Sequence, residues 1–352
     1  MAKKQLTLEE KLQDALVPVE EQPYQIPENW CWAKLGSVCD IILGQSPKKD
    51  DITEDASCIP VISGAGELKD NSIETEKYTK AAARLAQAGD VVISAKVILG
   101  KPVVADKEYC LGRGMNAIRS NAVDSMYTKF LILNFEDYLY KNASSSKPIQ
   151  LAGKALGNMP VPLPPVPEQK RIASLIEPML ADLNAAEEKI QSVLDGAELR
   201  KKAIIHGGVT GKLTSFWRKI KGVSIDGWCT KSLDSEDIYE PFREWLKKSD
   251  CVEQPEADSQ ETDSQPVEET LALEEKQDIQ VSVPTMHEQQ EISSILRNLL
   301  AKERTVNASC EQSLASIGII KKAILSRAFR GELGTNDSSE EAAINLVKEI
   351  LQ

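Results

Sequence analysis

Between residues 167 and 204 apolar side chains recur at alternating spacings of four and three, through Ile172, Ile176, Met179, Leu183, Ala186, Ile190, Val193 and Ala197. That spacing marks the seam of a long amphipathic helix lying against another helix. The pattern returns farther along the chain. Residues 161–213 lie over residues 281–333 without a gap, and 15 of the 53 positions are identical, an internal repeat at a fixed offset. Pro164 matches Pro284, Glu168 and Gln169 match Glu288 and Gln289, and Ile172 matches Ile292. Farther in, Leu180 and Ala181 match Leu300 and Ala301, the four residues from Lys201 match the four from Lys321, and Gly211 and Leu213 match Gly331 and Leu333. The second copy keeps Ile292, Leu296, Leu299, Val306 and Ile317 on the seam but places Glu303, Cys310 and Ser313 there as well.

Each copy therefore predicts one long helix. Pro167 suits a first helical turn, where its missing N–H costs nothing, and Glu168 then lies near the positive end of the helix dipole. Pro178 removes a backbone hydrogen bond, so a break is expected near Met179. A helix of about 38 residues is about 57 Å long, and two of them packed antiparallel form a spacer that puts the preceding segments at opposite ends. A helical hairpin holding one core together satisfies the same periodicity.

Residues 24–160 differ in kind. Short apolar runs at 38–43, 59–62, 91–93 and 101–104 are punctuated by glycines, which predicts a strand-rich, mixed α/β segment. Residues 127–140, with Phe130, Leu131, Leu133 and Leu139, predict a helix, followed by an exposed polar loop at 142–150 with serines around Lys147. A second segment opens in the same way: Asp226, Gly227, Trp228 and Cys229 followed by Leu233 echo Glu28, Asn29, Trp30 and Cys31 followed by Leu35. It then runs only to Val281 and is rich in Glu, Asp, Ser, Gln and Pro from 253 to 277. That composition predicts an acidic, disordered linker, read as a solvated connector ahead of a DNA-mimicking or protein-docking role.

The 352 residues carry 41% hydrophobic and 27% charged side chains, ordinary globular composition. No signal peptide or membrane-spanning run is recognisable, which predicts a soluble, cytoplasmic protein. The seven cysteines are scattered without a CxxC pair, favouring reduced thiols over disulfides or a zinc site. With only His206 and His287, histidine chemistry has little material. The net charge of -12 argues against nucleic acid at first sight, but it is unevenly placed. Residues 24–160 hold 16 Lys or Arg against 16 Asp or Glu, whereas residues 214–280 hold 8 against 17, so the first segment can still carry a basic face.

At this point the residues resemble the specificity subunits of type I restriction-modification systems. The resemblance rests on Leu8, Glu9 and Glu10 leading to Glu20, Glu21, Gln22, Pro23 and Tyr24; on Ile26, Pro27, Glu28, Asn29 and Trp30 with Lys34, Leu35 and Gly36; on residues 161–169 with Ile172; and on residues 321–333. It implies an α/β fold, with one mixed α/β target-recognition domain plus two long helices forming an antiparallel coiled coil. The boundaries expected are a helical arm at 1–23, the recognition domain at 24–160, the first long helix at 161–213, a remnant second domain and acidic linker at 214–280, the second long helix at 281–333, and a tail with a short helix at 334–352. The second domain is too short and too acidic to resemble the first, so one half-site read by one chain and two chains pairing to restore a bipartite site both stay open.

The resemblance further implies a chain with no catalysis of its own, partnered by double-stranded DNA, two methylation subunits and restriction subunits, with a second copy of itself as a further candidate. S-adenosylmethionine, ATP and Mg are expected on those partners and no cofactor on this chain. No Gly-x-x-x-x-Gly-Lys-Ser/Thr loop, Gly-x-Gly-x-x-Gly fingerprint or Asn-Pro-Pro-aromatic signature occurs in it, in keeping with that division. Glu168, Gln169, Ile172, Glu288, Gln289 and Ile292 are the expected partner-binding residues. Candidate DNA contacts are Gln45, Ser46, Lys48 and Lys49 on one glycine-bearing loop, Ser63 and Gly64 on a second, Ser146 and Lys147 on a third, with Lys96, Lys101 and Arg113 as further cations. Gly44 and Gly64 also suit plain tight turns, and Trp30, Trp32 and Trp228 suit packing anchors better than base-stacking platforms. A scaffold or decoy that holds methylation subunits without reading DNA is the rival function, and an enzyme acting alone is a third.

Overall fold

A computed structural model of the chain describes residues 7–69, 71–96, 102–120, 122–144, 150–249 and 279–352. The expected acidic linker at 253–277 lies outside them, as do Lys101, Ser146 and Lys147. The chain divides into two compact units, Met1–Asn184 with Gly318–Gln352, and Ala185–Ile317.

In chain order the first unit opens with α1 (Leu8–Ala15), β1 (Cys31–Lys34), α2 (Leu35–Val38), β2 (Asp40–Leu43), β3 (Ile52–Thr53), β4 (Ile59–Ile62), β5 (Tyr78–Thr79), β6 (Leu85–Ala86), β7 (Val91–Ser94), β8 (Val103–Val104), β9 (Tyr109–Leu111) and β10 (Met115–Arg119). It continues through α3 (Ser125–Asn134), α4 (Glu136–Lys141), α5 (Gly153–Gly157) and β11 (Pro160–Leu163) into α6 (Val166–Asp195). Thr7 starts α1 with a capping box: its hydroxyl accepts from the Glu10 N–H, and the Glu10 carboxylate accepts from the Thr7 N–H, so two orphan donors are met.

Among the described residues two larger sheets, in the orders β2-β10-β7-β8 and β3-β5-β4-β9-β6, and the two-stranded ribbon β1-β11 build this unit. All their pairings are antiparallel except β4 with β9. β7 explains why its sequence is apolar without alternation. Its successive side chains point to opposite faces, and both faces are covered: Val91 and Ile93 enter a core with Tyr127, Leu131, Ile172, Ile176 and Phe329, while Val92 enters a second core with Ile62, Tyr109, Leu111 and Met115. The expected single helix at 127–140 is two, α3 and α4, parted at Phe135.

The long helix departs from expectation. α6 runs through Pro178 unbroken, with the proline on its exposed side, and the interruption falls instead at Gly196, between α6 and α7 (Ala197–Val209). The seam shifts accordingly. Ile172, Ala173, Ile176 and Leu180 are buried whereas Met179 and Val193 are about 40% exposed, the drift of a straight 3.6-residue helix against a strict heptad. The second copy is a single helix. After α8 (Ser215–Lys221), β12 (Cys229–Ser232), α9 (Glu240–Lys247) and β13 (Gln280–Val283) comes α10 (Met286–Ala328), and α11 (Ala343–Leu351) closes the chain in the first unit. Within the second unit α7 and α10 run antiparallel, since Arg200 pairs with Glu303 at 2.7 Å and Gly208 lies against Leu296. Glu303, a charged residue on the predicted seam, is buried because Arg200 meets it there, whereas Val306 on the same seam is 45% exposed.

The second unit repeats the base of the first. β12 pairs with β13 in the register Cys229 to Val283, as β1 pairs with β11 in the register Cys31 to Leu163. The next N–H donates equivalently in both, Leu35 to the Met159 carbonyl and Leu233 to the Ile279 carbonyl. Then the two part: residues 35–123 carry both sheets before the N-cap of α3 at Asp124, but only residues 233–238 lie before the N-cap of α9 at Tyr239. α9 stands where α3 stands, burying Phe242 and Leu246 against Val281, Val283, Ile292 and Leu296. Phe242→Ala therefore removes the centre of that core and should cost about 3–5 kcal/mol, read as a lower midpoint in chemical denaturation; an unchanged midpoint would show that α9 does not hold the unit together.

Candidate nucleic-acid interface

The six residues expected to meet partner subunits are spent inside the chain. Glu168, Gln169, Ile172, Glu288, Gln289 and Ile292 are all 0–2% exposed, and the four polar ones make two matching sets of hydrogen bonds. At the head of α6 the Glu168 carboxylate accepts from the Trp30 indole (2.7 Å), the Asn336 amide (3.0 Å) and the Thr335 hydroxyl (3.1 Å). At the head of α10 the Glu288 carboxylate accepts from the Trp228 indole (3.1 Å), the Thr214 hydroxyl (2.8 Å) and the Arg218 guanidinium (2.6 Å). Each glutamine ties down a helix: Gln169 accepts from the N–H of Asp124, the N-cap residue of α3 (2.9 Å), and Gln289 from the N–H of Tyr239, the N-cap residue of α9 (2.7 Å). Each also donates to a proline carbonyl, Pro164 or Pro284, at 3.0 and 2.9 Å.

The invariant glycine of each repeat serves the same latch. Gly211 and Gly331 adopt positive φ, +71° and +74°, and a Cβ there would meet Trp228 at 2.8 Å or Pro27 at 2.5 Å. The indoles of Trp30 and Trp228 thus act as packing anchors with a hydrogen-bonding edge. Sequence reasoning missed Thr214, Arg218, Thr335 and Asn336, which reach their carboxylates across separations of 70 to 168 residues.

Two of the candidate loops of the first unit meet at one turn. The turn between β9 and β10, Gly112, Arg113 and Gly114, closes with the Met115 N–H donating to the Gly112 carbonyl (3.0 Å), and Gly114 has φ +96°. The first candidate loop is stitched to it: Gly44 N–H donates to Met115 O (2.8 Å), Gln45 N–H to Leu111 O (2.9 Å), and Arg113 N–H to the Ser46 hydroxyl (3.2 Å). The second candidate loop joins from the other side, with Gly112 N–H donating to Ile62 O (2.8 Å), and the Lys96 stem lies against Gly114. Gln45, Ser46, Lys48, Lys49, Ser63 and Arg113 are exposed; Gly64 and Lys96 are half-buried.

The chemistry of these loops is uneven. Among the described residues the side chains of Lys48, Lys49, Lys96 and Arg113 make no hydrogen bond or ion pair, leaving four cations for an anion to meet. The N–H groups of Ser63 and Gly64 are already taken by the Glu67 carboxylate, so those amides are not a vacant phosphate cradle. Arg119 is likewise committed: the Asp90 carboxylate takes it bidentately, at 2.7 and 2.9 Å, and raises its pKa above the usual arginine value. The tight Gly-Arg-Gly turn between two apolar runs is a turn signal in the sequence that the reading by loops passed over. Among the described residues no group of three His, Cys, Asp or Glu is placed to hold a metal ion, and no helix is long and apolar enough to cross a membrane.

A two-sheet α/β unit whose loops gather on one turn, carried on the head of a long helix, defines a domain class that the comparisons identify. The family model described as "Type I restriction modification DNA specificity domain" matches residues 27–195. A protein assigned as the MjaX type I restriction enzyme specificity subunit of Methanocaldococcus jannaschii is 27% identical over 193 residues, 54% of this chain and 44% of that one. The EcoDI type I restriction enzyme specificity subunit of Escherichia coli is 24% identical over 196 residues, 55% of this chain and 44% of the relative. The crystal structure of the HsdS subunit from Thermoanaerobacter tengcongensis covers 52% of this chain and 44% of its own, with 27% identity and a TM-score of 0.43. Residues 27–195 are thus similar to the DNA specificity domain of type I restriction-modification systems, and the matches span under half the length of these relatives.

The two latches differ in one respect that can be measured. In Glu168→Gln the new amide can face Thr335, whose hydroxyl can turn and accept, so the cost should be about 1–3 kcal/mol. In Glu288→Gln the amide must face a cation or an indole N–H and Arg218 loses its counter-charge while buried, which should cost about 3–5 kcal/mol. Denaturation midpoints of the two variants check the order; equal losses would mean that Arg218 is not carried by Glu288.

Proposed function

We propose that this chain is a sequence-specific DNA-recognition subunit that directs the methylation and restriction of a type I complex to its target, and that its first unit alone does the reading. The observation that carries the proposal is the gathering of the Gly44–Lys49 and Ser63 loops and Lys96 on the Gly112–Gly114 turn, inside the segment that matches the DNA specificity family. Lys48 and Lys49 contact phosphates, which gives salt-dependent affinity and orientation, while side chains nearer the turn meet base edges. Methyl transfer, cleavage and ATP use belong to methylation and restriction subunits, which bring S-adenosylmethionine, ATP and Mg.

The second unit keeps the ribbon and the anchoring helix of a recognition domain but has only residues 233–238 where the first carries two sheets. A single chain on this reading recognises one half-site, and a bipartite site requires a second chain. The same observation favours one rival, a scaffold or decoy that occupies methylation subunits without reading DNA.

Expression with the methylation subunit of its host, followed by mapping of methylated bases with and without this chain, separates the two. A motif that disappears on deletion supports recognition, and stable co-purification with no motif supports the decoy. Neutralising Lys48 and Lys49 together should weaken binding to all sequences alike and lower the slope of log affinity against log salt by about 2; an unaltered slope places those lysines off the DNA.

A further inference from the structure

We infer that Arg113 is a base-reading residue of this domain, directed at a guanine in the major groove, while the neighbouring lysines serve the phosphates. The inference rests on the DNA-recognition reading above and adds to it which side chain sets one letter of the target.

The case begins with how firmly the main chain under Arg113 is held. The turn from Gly112 to Met115 joins a strand of one sheet, β9, to a strand of the other, β10, so its position is set by both sheets at once. Three further segments are bonded to it, through Gly44 and Gln45, through Ile62, and through Ala95, whose N–H donates to the Gly114 carbonyl at 2.8 Å. The packing is closer than any side chain would allow. A Cβ at Gly44 would lie 2.3 Å from the Gly112 and Met115 carbonyls, one at Gly112 would lie 2.6 Å from the Ile62 carbonyl, and one at Gly114 would lie 2.5 Å from the Lys96 stem. Gly114 also needs its positive φ at the third position of the turn, where glycine is favoured.

Arg113, at the second position, is thus the one residue of the Gly-Arg-Gly tip with a side chain, and that side chain is exposed. Its N–H is fixed to Ser46, while its guanidinium makes no hydrogen bond or ion pair among the described residues. A rigid main chain under a free, planar, always-charged fork is what base reading asks for, because the cost of ordering is confined to one side chain and the fork matches O6 and N7 of guanine in two parallel hydrogen bonds. Lys48 and Lys49 sit on the adjoining loop as flexible point charges, suited to phosphate.

The test is motif determination for the full chain expressed with the methylation subunit of its host, comparing the native chain with Arg113→Ala, Arg113→Gln and the Lys48→Ala/Lys49→Ala pair. In the native motif one position should be a fixed G·C pair. Arg113→Ala should relax that position alone, lowering discrimination there by about 10- to 100-fold, and Arg113→Gln should shift it toward A·T, because a glutamine amide matches adenine. The lysine pair should leave the motif intact and weaken binding throughout. A native motif that stays unchanged in both Arg113 variants overturns the inference while leaving the recognition function standing, as does a uniform loss of affinity without relaxation at any position. A native chain that yields no motif overturns both.

Discussion

A buried carboxylate at the head of each long helix governs how this chain can be arranged. Glu168 and Glu288 are wholly removed from solvent, where an unpaired carboxylate is untenable, and each is met by donors from three places: an indole from the segment that leads into its unit, a hydroxyl from beyond the end of the opposite helix, and an amide or guanidinium nearby. The strands, the helix ends and the glycine turns are therefore fixed in common. The adjacent glutamine extends the hold to α3 or α9 through a single main-chain N–H. What repeats in the sequence is thus a joint, and the long amphipathic helix is the arm that leaves it.

The same joint accounts for how the second unit survives with so little inserted in it. The ribbon of β12 with β13, the carboxylate latch and the helix α9 form a closed core around Phe242 and Leu246, so the two sheets that occupy residues 35–123 in the first unit can be absent without exposing the base. Arg218 and Trp228, stacked at 5.8 Å, complete a latch in which the charge of Glu288 is neutralised directly, whereas Glu168 is met by neutral donors alone. Among the described residues the second unit keeps its anchoring helix α9 without counterparts of the two larger sheets of the first.

On the first unit the candidate surface is organised by close main-chain contact. Gly44, Gly112 and Gly114 let three loops and two sheets meet within hydrogen-bonding distance, and the polar side chains around them inherit their positions from that contact. Glu67 closing on Ser63 and Gly64, and Asp90 closing on Arg119, withdraw donors that a reading of residue types alone would assign to a ligand. The cations left over, Lys48, Lys49, Lys96 and Arg113, are the ones that proximity to the turn brings together.

Much of this was determined by the sequence alone. The repeat at 161–213 and 281–333, the two long helices, the strand-rich first segment and the curtailed second one follow from periodicity, identity at fixed offset and composition, because those properties are local or self-similar. The loops carrying Gln45, Ser46, Lys48 and Lys49 were legible as glycine-bearing and polar. Tertiary structure decided what Glu168 and Glu288 are for, since their partners Thr335, Asn336, Thr214 and Arg218 come from 70 to 168 residues away and nothing in local pattern announces them. It decided that α6 passes Pro178 and stops at Gly196, because packing on one face of a helix outweighs a proline on the other. It also decided which polar loop residues remain free, because an exposed donor and one already satisfied by a neighbouring carboxylate are the same letter in the sequence and differ only in what the fold places beside them.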